Sequence, residues 1–527
     1  MSEPHNGATL SQAVDAAACG QAVVDRAIAF SKSRREAGHD DQEVLYALSH
    51  AAAGLSMVPV ALRYAENGDT EQKLALVFIA LVLADLGGTL WSQHQSWGVE
   101  PDSLNAAQPF VAAATEADFV AAAADHPGSA RLAEDLQLVA DTFRRFALDR
   151  IAPLAEQIHR QDLDVPLDVI EGVAELGCFG LSIREEYGGF ASGGADDYLA
   201  MVIATEELSK ASLGAGGSLI TRPEILARAL EAGGTVAQKL RWLPQIAGGQ
   251  TLCAVAVTEP DYGSDVASLK LAATPVDGGF VLDGTKTWCT FAGRANALMV
   301  LARTNPDPDV GHRGLSLLIV EKPSDEGHQF RHEAADGVLE GRAIPTLGYR
   351  GMHSYEVSFD NWFVPFENLI GGRDGLGRGF YLQMAGFENG RLQTTARAVG
   401  VMHRAYEVAH EYANERKVFA QPLASYQLTR VKLAKMAAVV AISRQYSYEV
   451  ARLMSVGEGA LEAAMAKAFS CKWAEWVTRE ALQIHGGMGY AEEYEVSRLF
   501  VDARVLSIFE GADETLCLKL IARRLLA

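Results

Sequence analysis

The sequence predicts a mainly helical α+β protein with four parts in the order helical, helical, β and helical. Ala-rich segments with a helical pattern fill 1–130, a helical N-terminal extension, and apolar residues at helical spacing continue through 131–250. Short apolar runs separated by turn residues occupy 251–370, which predicts one compact β-domain. Helical spacing returns over 371–527. Because a chain of this length is too long to fold around a single hydrophobic core, we expect these four ranges to be four domains.

Periodicity and turn residues set the elements expected within each part. Polar breaks such as Glu66–Asp69 separate the first helical runs, and Asp125–Ser129 is typical of a linker. Asp277-Gly278-Gly279 has the composition of a three-residue hairpin loop. The predicted helices are Ala13–Phe30, Gln42–Arg63, Glu71–Leu86, Gln427–Met454 and Leu461–Ile484, and the predicted strands are Leu252–Val257, Leu269–Val276, Phe280–Asp283, Leu298–Ala302, Leu315–Val320 and Tyr355–Phe363.

The composition disfavours several classes of function. The 527 residues carry a net charge of −21, whereas binding to nucleic acid or to anionic lipid depends on basic patches. The six cysteines form no CxxC pair or metal-ligand spacing, so we expect free thiols and no metal site. The N-terminus shows no signal-sequence pattern, and the longest apolar run, Leu74–Ala84, is shorter than the ~20 residues of a membrane-spanning helix. We therefore expect a soluble, cytoplasmic protein without a nucleic-acid or membrane partner.

Near the end of the chain, Leu506–Ala512 places Glu510 between an aromatic residue and a glycine, after an apolar run. In isolation such a Glu is most often a surface residue in a loop. Its interpretation depends on the segments that precede it.

The segment Val257–Asp265 follows a β-like run and is rich in hydroxyls, glycine and turn residues. Such a loop can offer donors to a planar heterocycle with carbonyl acceptors, although an ordinary turn uses the same residues to bond its own backbone. Trp288-Cys289-Thr290 ends the next strand, where a Trp can pack against a ring face and a Thr can bond a ring nitrogen. The alternative interpretation is a Trp buried in the core beside a Thr whose hydroxyl is hydrogen-bonded within the protein.

Two helix ends carry further motifs. Glu415–Phe419 contains Arg416, whose planar fork of donors suits a phosphate, although a solvated helix end has the same composition. Gln483–Tyr490 holds three glycines, more than a helix cap requires, and glycine lets a ligand approach the backbone closely. No GxGxxG follows a strand and opens a helix, so we do not expect a Rossmann domain.

Together and in this order, these segments resemble the acyl-CoA dehydrogenase family, over roughly residues 134–527. The resemblance implies a helical N-terminal domain, a central β-domain and a C-terminal four-helix bundle, to which residues 1–130 add a helical extension. It also implies FAD between the β-domain and the helices, an acyl-CoA substrate, an electron-transfer flavoprotein as acceptor, and a homodimer or homotetramer.

The resemblance also assigns roles to individual residues. Glu510 matches the base that removes a proton next to the thioester while the flavin takes a hydride. Some members carry this base just before the Arg that matches Arg391, where this chain has Gly390, which cannot act as a base; Glu388 is a weaker rival. The implied cofactor-binding residues are Val257, Thr258, Gly263, Ser264, Trp288, Thr290, Arg416, Phe419, Gln427, Gln483, Gly486 and Gly487, and the implied substrate-binding residues are Ser264, Arg222, Arg391, Phe509 and Gly511.

Arg222 bears on the acyl group. It lies in Gly217–Glu224, which resembles the stretch that shapes the acyl end of the pocket, where fatty-acyl members are uncharged. A buried cation needs a partner, either a free carboxylate on the substrate or a group such as Glu224, unless it reaches solvent. The combination of the N-terminal extension, Arg222 and the C-terminal motif resembles the subgroup of the family that converts methylsuccinyl-CoA to mesaconyl-CoA.

Other functions remain open from the sequence. A dehydrogenase of short monocarboxylic acyl-CoA, or an acyl-CoA oxidase, would carry the same base. A nucleic-acid-binding relative of the fold would need a basic groove, which the charge of −21 disfavours.

Overall fold

The computed structural model describes residues 7–194 and 196–527, and the mainly helical α+β prediction is confirmed. The chain forms two compact units, Leu138–Gln393 and the described residues up to Gln137 together with Thr394–Ala527. The helices are α1 Leu10–Glu36, α2 Gln42–Ser56, α3 Val58–Ala65, α4 Asp69–Trp97, α5 Gln108–Ala114, α6 Ala117–Ala121, α7 Glu134–Phe146, α8 Ala152–Gln161, α9 Leu167–Glu175, α10 Asp197–Ala211, α11 Thr221–Gly233, α12 Val236–Ala247, α13 Gly379–Glu415, α14 Gln427–Ser455, α15 Ala460–His485, α16 Glu495–Leu506, α17 Asp513–Thr515 and α18 Ala522–Leu525.

The unit Leu138–Gln393 contains a mixed eight-stranded sheet. Its order is β1-β4-β2-β3-β8-β7-β6, and β5 pairs with β4. The strands are β1 Cys253–Ala256, β2 Ala272–Val276, β3 Gly279–Thr290, β4 Ala297–Arg303, β5 Leu315–Glu321, β6 Gln329–Ala334, β7 Gly337–Ile344 and β8 Ser354–Pro365; Lys417–Val418 (β9) and Gln421–Pro422 (β10) form a separate hairpin.

Strand β4 shows why this part of the sequence is a continuous apolar run. Leu298 and Val300 lie in the core on one face of the sheet, with Leu282 of β3. Met299 and Leu301 lie in the core on the other face, which α11 and α12 cover. A strand buried on both faces needs apolar side chains at successive positions rather than at alternate ones.

Two features of the sheet differ from the sequence predictions. Val276 pairs with Gly279, so the loop between β2 and β3 is the two residues Asp277-Gly278 rather than three, with φ of +77° at Gly278. Strands β6 and β7 were not predicted. Four of the six side chains of β6 are exposed, because it is an edge strand of the sheet, and so its sequence lacks an apolar run.

The N-terminal extension packs on the C-terminal helices of its own unit. Helix α2 packs on α15, while α3, α4 and α6 pack on α14. The ring of Phe78 in α4 lies 5.6 Å from that of Phe469 in α15, and burial of one such side chain contributes ~1.5–3 kcal/mol. The extension therefore shares a core with these helices.

The two longest apolar helical stretches of the extension differ from their predicted bounds. The predicted helix Gln42–Arg63 is divided at Met57, before Pro59, and the run Leu74–Ala84 lies in a helix of 29 residues. By length and composition, Gln42–Ala65 and Asp69–Trp97 could each cross a membrane, which is weak evidence because buried core helices pass the same test. Their most apolar windows are 67% and 61% buried within the protein.

Candidate active site

Glu510 lies in the loop 507–513, which follows α16 and ends at Asp513, the first residue of α17. The N–H groups of Ile508 and Phe509 donate to the carbonyl of Val505 at 2.9 and 3.1 Å, so helical bonding persists almost to Glu510. At Glu510 the backbone φ is +54°, in the left-handed region that costs most residues ~1–2 kcal/mol. Gly511 follows with a φ of +99°, which glycine adopts readily. A strained residue in such a loop persists because its surroundings hold it.

Two buried cations contact the residues on either side of Glu510. Lys467 of α15 donates from Nζ to the carbonyl of Gly511 at 2.6 Å. The guanidinium of Arg397, on α13, lies 4.5 Å from the centre of the Phe509 ring. Both cationic side chains are fully buried, and a desolvated cation–π contact contributes ~2 kcal/mol. These contacts restrain the backbone just before and just after Glu510.

Within the described part of the chain, the carboxylate of Glu510 has one oxygen without a hydrogen bond. Its Oε2 is buried and has no hydrogen-bond partner among residues 7–194 and 196–527. Within the same residues, its backbone N–H meets no acceptor. Since buried polar groups are nearly always paired, an unpartnered carboxylate oxygen points to a role with a ligand. The oxygen could accept a proton, and the N–H could donate to a carbonyl.

The loop after β1 is fixed by Glu259, which sequence analysis did not select. Its carboxylate accepts hydrogen bonds from the backbone N–H of Lys270 and of Leu271 and from Nζ of Lys286, each at 2.8 Å. Nζ of Lys286 also donates to the carbonyl of Val257 at 2.9 Å. Burial lowers the pKa of Lys286, and Glu259 opposes this. The pairing depends on residues far apart in the chain, so no local signal identified it.

This loop lies beside the end of β3. The N–H of Thr287 donates to the carbonyl of Thr258 at 2.8 Å, which brings Trp288 next to that loop. Trp288 has a φ of +57° and is 55% exposed, so it is not the core Trp of the alternative interpretation. The hydroxyl of Thr290 lies 2.9 Å from that of Ser354, so a contact to a ligand would be additional to this one.

The residues around Trp288 fit a planar, polar-edged cofactor. Thr258 is half-buried, and Gly263 and Ser264 are exposed on the same loop. An exposed aromatic face next to hydroxyl and backbone donors suits an isoalloxazine ring, which has an apolar face and carbonyl acceptors at its edge. Val257, buried directly after β1, is fixed through its carbonyl, which accepts the hydrogen bond from Lys286.

The two helix-end motifs lie together in the other unit. The ring of Tyr412, one turn before Arg416, stacks on His485 with centroids 4.3 Å apart. This contact brings Arg416–Phe419 near Gln483–Gly487. Phe419 is 89% exposed, and the side chains or backbone of Arg416, Gln483, Gly486 and Gly487 are also exposed.

Gln427, at the start of α14, contacts the extension. Its Nε2 donates to Oδ1 of Asp118 in α6 at 2.6 Å. The amide nitrogen is therefore engaged within the chain, and this bond does not use the amide oxygen, which is an acceptor.

Arg222 is buried at the start of α11, with a residue exposure of 5%. Its Nη1 lies 3.5 Å from the carbonyl of Ser218, and its guanidinium lies 5.9 Å from the ring centre of Tyr349. The expected alternative partner, Glu224, accepts hydrogen bonds from Arg228 and Asn389, both at 2.9 Å. Among the described residues, no carboxylate lies within ion-pair distance of Arg222.

Arg391 and its neighbours lie within α13. Arg391 is buried, Gly390 is buried beside it, and Glu388 is half-buried two positions earlier. Asn389 is tied to Glu224, which links this helix to α11.

Models of the acyl-CoA dehydrogenase N-terminal, middle and C-terminal domains match residues 133–250, 254–362 and 377–526. The chain is 38% identical to "(2S)-methylsuccinyl-CoA dehydrogenase" of Cereibacter sphaeroides over 530 residues, which cover 96% of this chain and 94% of that protein.

Two solved structures share the fold. Butyryl-CoA dehydrogenase from Megasphaera elsdenii matches with a TM-score of 0.68 and 29% identity, covering 75% of this chain and 99% of that one. A glutaryl-coenzyme A dehydrogenase, solved with glutaryl-CoA, matches with a TM-score of 0.68 and 28% identity, covering 74% and 95%. This chain is thus an FAD-dependent oxidoreductase acting on CH–CH bonds and belongs to the acyl-CoA dehydrogenase family.

Proposed function

We propose that this chain catalyses α,β-dehydrogenation of a short dicarboxylic acyl-CoA, of the methylsuccinyl-CoA to mesaconyl-CoA type. The observation that carries this substrate class is Arg222, a buried guanidinium without a carboxylate partner among the described residues. Burying an unpaired cation costs several kcal/mol, and the free carboxylate of a diacid would supply the missing charge. The match to the Cereibacter sphaeroides protein extends across the N-terminal extension and supports the same class.

Glu510 is proposed as the catalytic base. Its buried, unpartnered Oε2 removes the proton from the carbon next to the thioester carbonyl. Its backbone N–H donates to the thioester oxygen as negative charge develops there. The restrained loop holds both groups in one geometry, which lowers the cost of orienting them. When bound, FAD supplies the acceptor for the hydride that leaves the β-carbon.

The cofactor-binding residues form two sets. We infer that Val257, Thr258, Gly263, Ser264, Trp288 and Thr290 hold the flavin ring, and that Ser264, Arg391, Phe509 and Gly511 also meet the substrate. The exposed surface formed by Arg416, Phe419, Gln427, Gln483, Gly486 and Gly487 is proposed to hold the dinucleotide of a neighbouring copy in a homodimer or homotetramer. An exposed Phe419 with Arg416 beside it suits such an interface.

We expect the reduced flavin to pass electrons to an electron-transfer flavoprotein in the cytoplasm. Hydrogen peroxide formed rapidly in air, without another acceptor, would show an oxidase instead.

The test of the substrate class is anaerobic titration of the flavoprotein with methylsuccinyl-CoA and butyryl-CoA, followed at the flavin absorption band. We expect methylsuccinyl-CoA to give the higher kcat/KM. Arg222→Met should lower kcat/KM for the diacid by roughly 10- to 100-fold, the value of one charged hydrogen bond, while butyryl-CoA changes little. Arg222→Lys is the charge-retaining control and should lose less. A wild-type preference for butyryl-CoA would contradict the proposal.

A further inference from the structure

We propose that the N-terminal extension positions the catalytic loop through Tyr46 and His50, two positioning residues on α2. This inference rests on the proposed role of Glu510. The hydroxyl of Tyr46 donates to Oδ2 of Asp513 at 2.6 Å, and Nε2 of His50 lies 2.9 Å from the same oxygen. A neutral or protonated His50 donates here when Nε2 carries the hydrogen.

Asp513 is the residue through which these two side chains act. It follows Glu510 by three positions, and its backbone N–H donates to the carbonyl of Ser507 at 3.1 Å, which closes the loop 507–513. Its side chain is 14% exposed, so its charge depends on protein donors rather than on water. Burial raises the pKa of Asp513, but His50 and Tyr46, together with the nearby cation Lys467, outweigh burial and hold this pKa below its ordinary value.

Helix α2 also contacts the segment that follows the loop. The hydroxyl of Ser49 lies 2.7 Å from the carbonyl of Leu45 in its own helix and 3.1 Å from the carbonyl of Cys517, so these two acceptors share its one hydrogen. Tyr46 and His50 therefore hold the side chain of Asp513 from one face of α2, and Ser49 contacts the backbone of Cys517 from the same face. Lys467 of α15 holds the carbonyl of Gly511.

The need for such support comes from the strain at Glu510, whose φ is +54°. The matched family models begin at residue 133, and the two solved relatives cover about three quarters of this chain, so α2 is an addition to the shared fold. Without donors from α2, the Asp513 carboxylate would be buried and unpaired, and the loop would relax. A misplacement of about 1 Å in a reacting group can cost roughly 100-fold in rate.

The experiment compares His50→Leu with His50→Gln in the full-length, FAD-loaded enzyme. Glutamine can present an amide N–H where His50 presents Nε2, whereas leucine fills similar space without a donor. Stopped-flow absorbance gives the rate constant for flavin reduction by the best thioester for the wild type. Tyr46→Phe, which removes one oxygen, is the second variant and serves if His50→Leu does not fold. Tyr64→Phe is the matched control, because the Tyr64 hydroxyl bonds the carbonyl of Ser129 instead.

We expect His50→Leu and Tyr46→Phe to slow flavin reduction at least about tenfold, or ~1.4 kcal/mol, with unchanged flavin content and substrate Kd. His50→Gln should stay within threefold of the wild type, and so should Tyr64→Phe. Flavin reduction within twofold of the wild type in both donor-deleting variants would overturn the inference. A loss matched by lost flavin or by an equal loss in Tyr64→Phe would also overturn it, since that result indicates general destabilisation. If no acyl-CoA reduces the wild-type flavin, the proposed function fails, and this inference fails with it.

Discussion

Replacing Glu259 with Gln should destabilise the loop after β1, which is proposed to bind the flavin, more than any exposed charge substitution in the same unit. The Glu259 carboxylate accepts three hydrogen bonds of 2.8 Å, one of them from the fully buried Lys286. Glutamine keeps the shape but removes the charge, so Lys286 stays buried without a counter-charge. Breaking a buried ion pair in this way costs ~3–5 kcal/mol. For a unit of this size, that loss corresponds to a fall in Tm of roughly 6–20 °C.

The assay combines differential scanning calorimetry with the ratio of flavin to protein absorbance after gel filtration. Because Val257 and Thr258 belong to the same loop, flavin retention should fall together with Tm. Glu321→Gln is the matched control: Glu321 pairs with Arg241 at 2.8 Å, but both side chains are more than 40% exposed. Such a pair contributes ~0–1 kcal/mol, so the control should shift Tm by about 4 °C at most.

A double variant separates the lost pair from other effects. Glu259→Gln combined with Lys286→Met removes both charges and should recover part of the lost Tm, because the unpaired buried cation is gone. A Glu259→Gln shift no larger than that of Glu321→Gln would refute this reasoning. Losses that simply add in the double variant would refute the coupling of Glu259 with Lys286.

Two further predictions concern other strained or buried groups. Gly511→Ala places a side chain at a φ of +99°, so it should lower the free energy of unfolding by ~1–2 kcal/mol and slow flavin reduction. The control Gly88→Ala lies in α4 with open space around it and should not lower Tm. Equal Tm values for the two variants would contradict this prediction. Burial lowers the pKa of His485, so the unfolded chain takes up this proton first as pH falls below about 6.5, and stability falls with it. His485→Phe keeps the stacking on Tyr412 without a titrating group and should therefore lose less Tm than the wild type between about pH 8 and pH 5; an equal loss would exclude His485 as the cause.

The sheet shows which elements local sequence can predict. Strand β4 was predicted because burial on both faces makes 297–302 a continuous apolar run. Strand β6 was not, because the exposed side chains of an edge strand carry no such pattern. The loop between β2 and β3 was predicted one residue too long, since pairing of Val276 with Gly279 depends on strand register rather than on composition.

In the candidate site, too, local sequence identified some residues but not the contacts between distant segments. The ordered motifs identified Glu510 and Trp288 by resemblance, and the structure shows one with an unpartnered buried oxygen and the other with an exposed ring. Contacts between distant segments could not be predicted. Asp513 with His50 and Gln427 with Asp118 join residues more than 300 positions apart, and nothing near either residue in the sequence indicates its partner.

The most direct test of the central claim is the rate constant for flavin reduction in Glu510→Gln, measured by anaerobic stopped flow with the thioester that reduces the wild-type flavin fastest. A base in the proposed position requires that the variant keep its flavin and its substrate affinity but lose at least about 100-fold in this rate constant. A rate constant within about threefold of the wild type, less than ~1 kcal/mol in the barrier, would show that another group removes the proton.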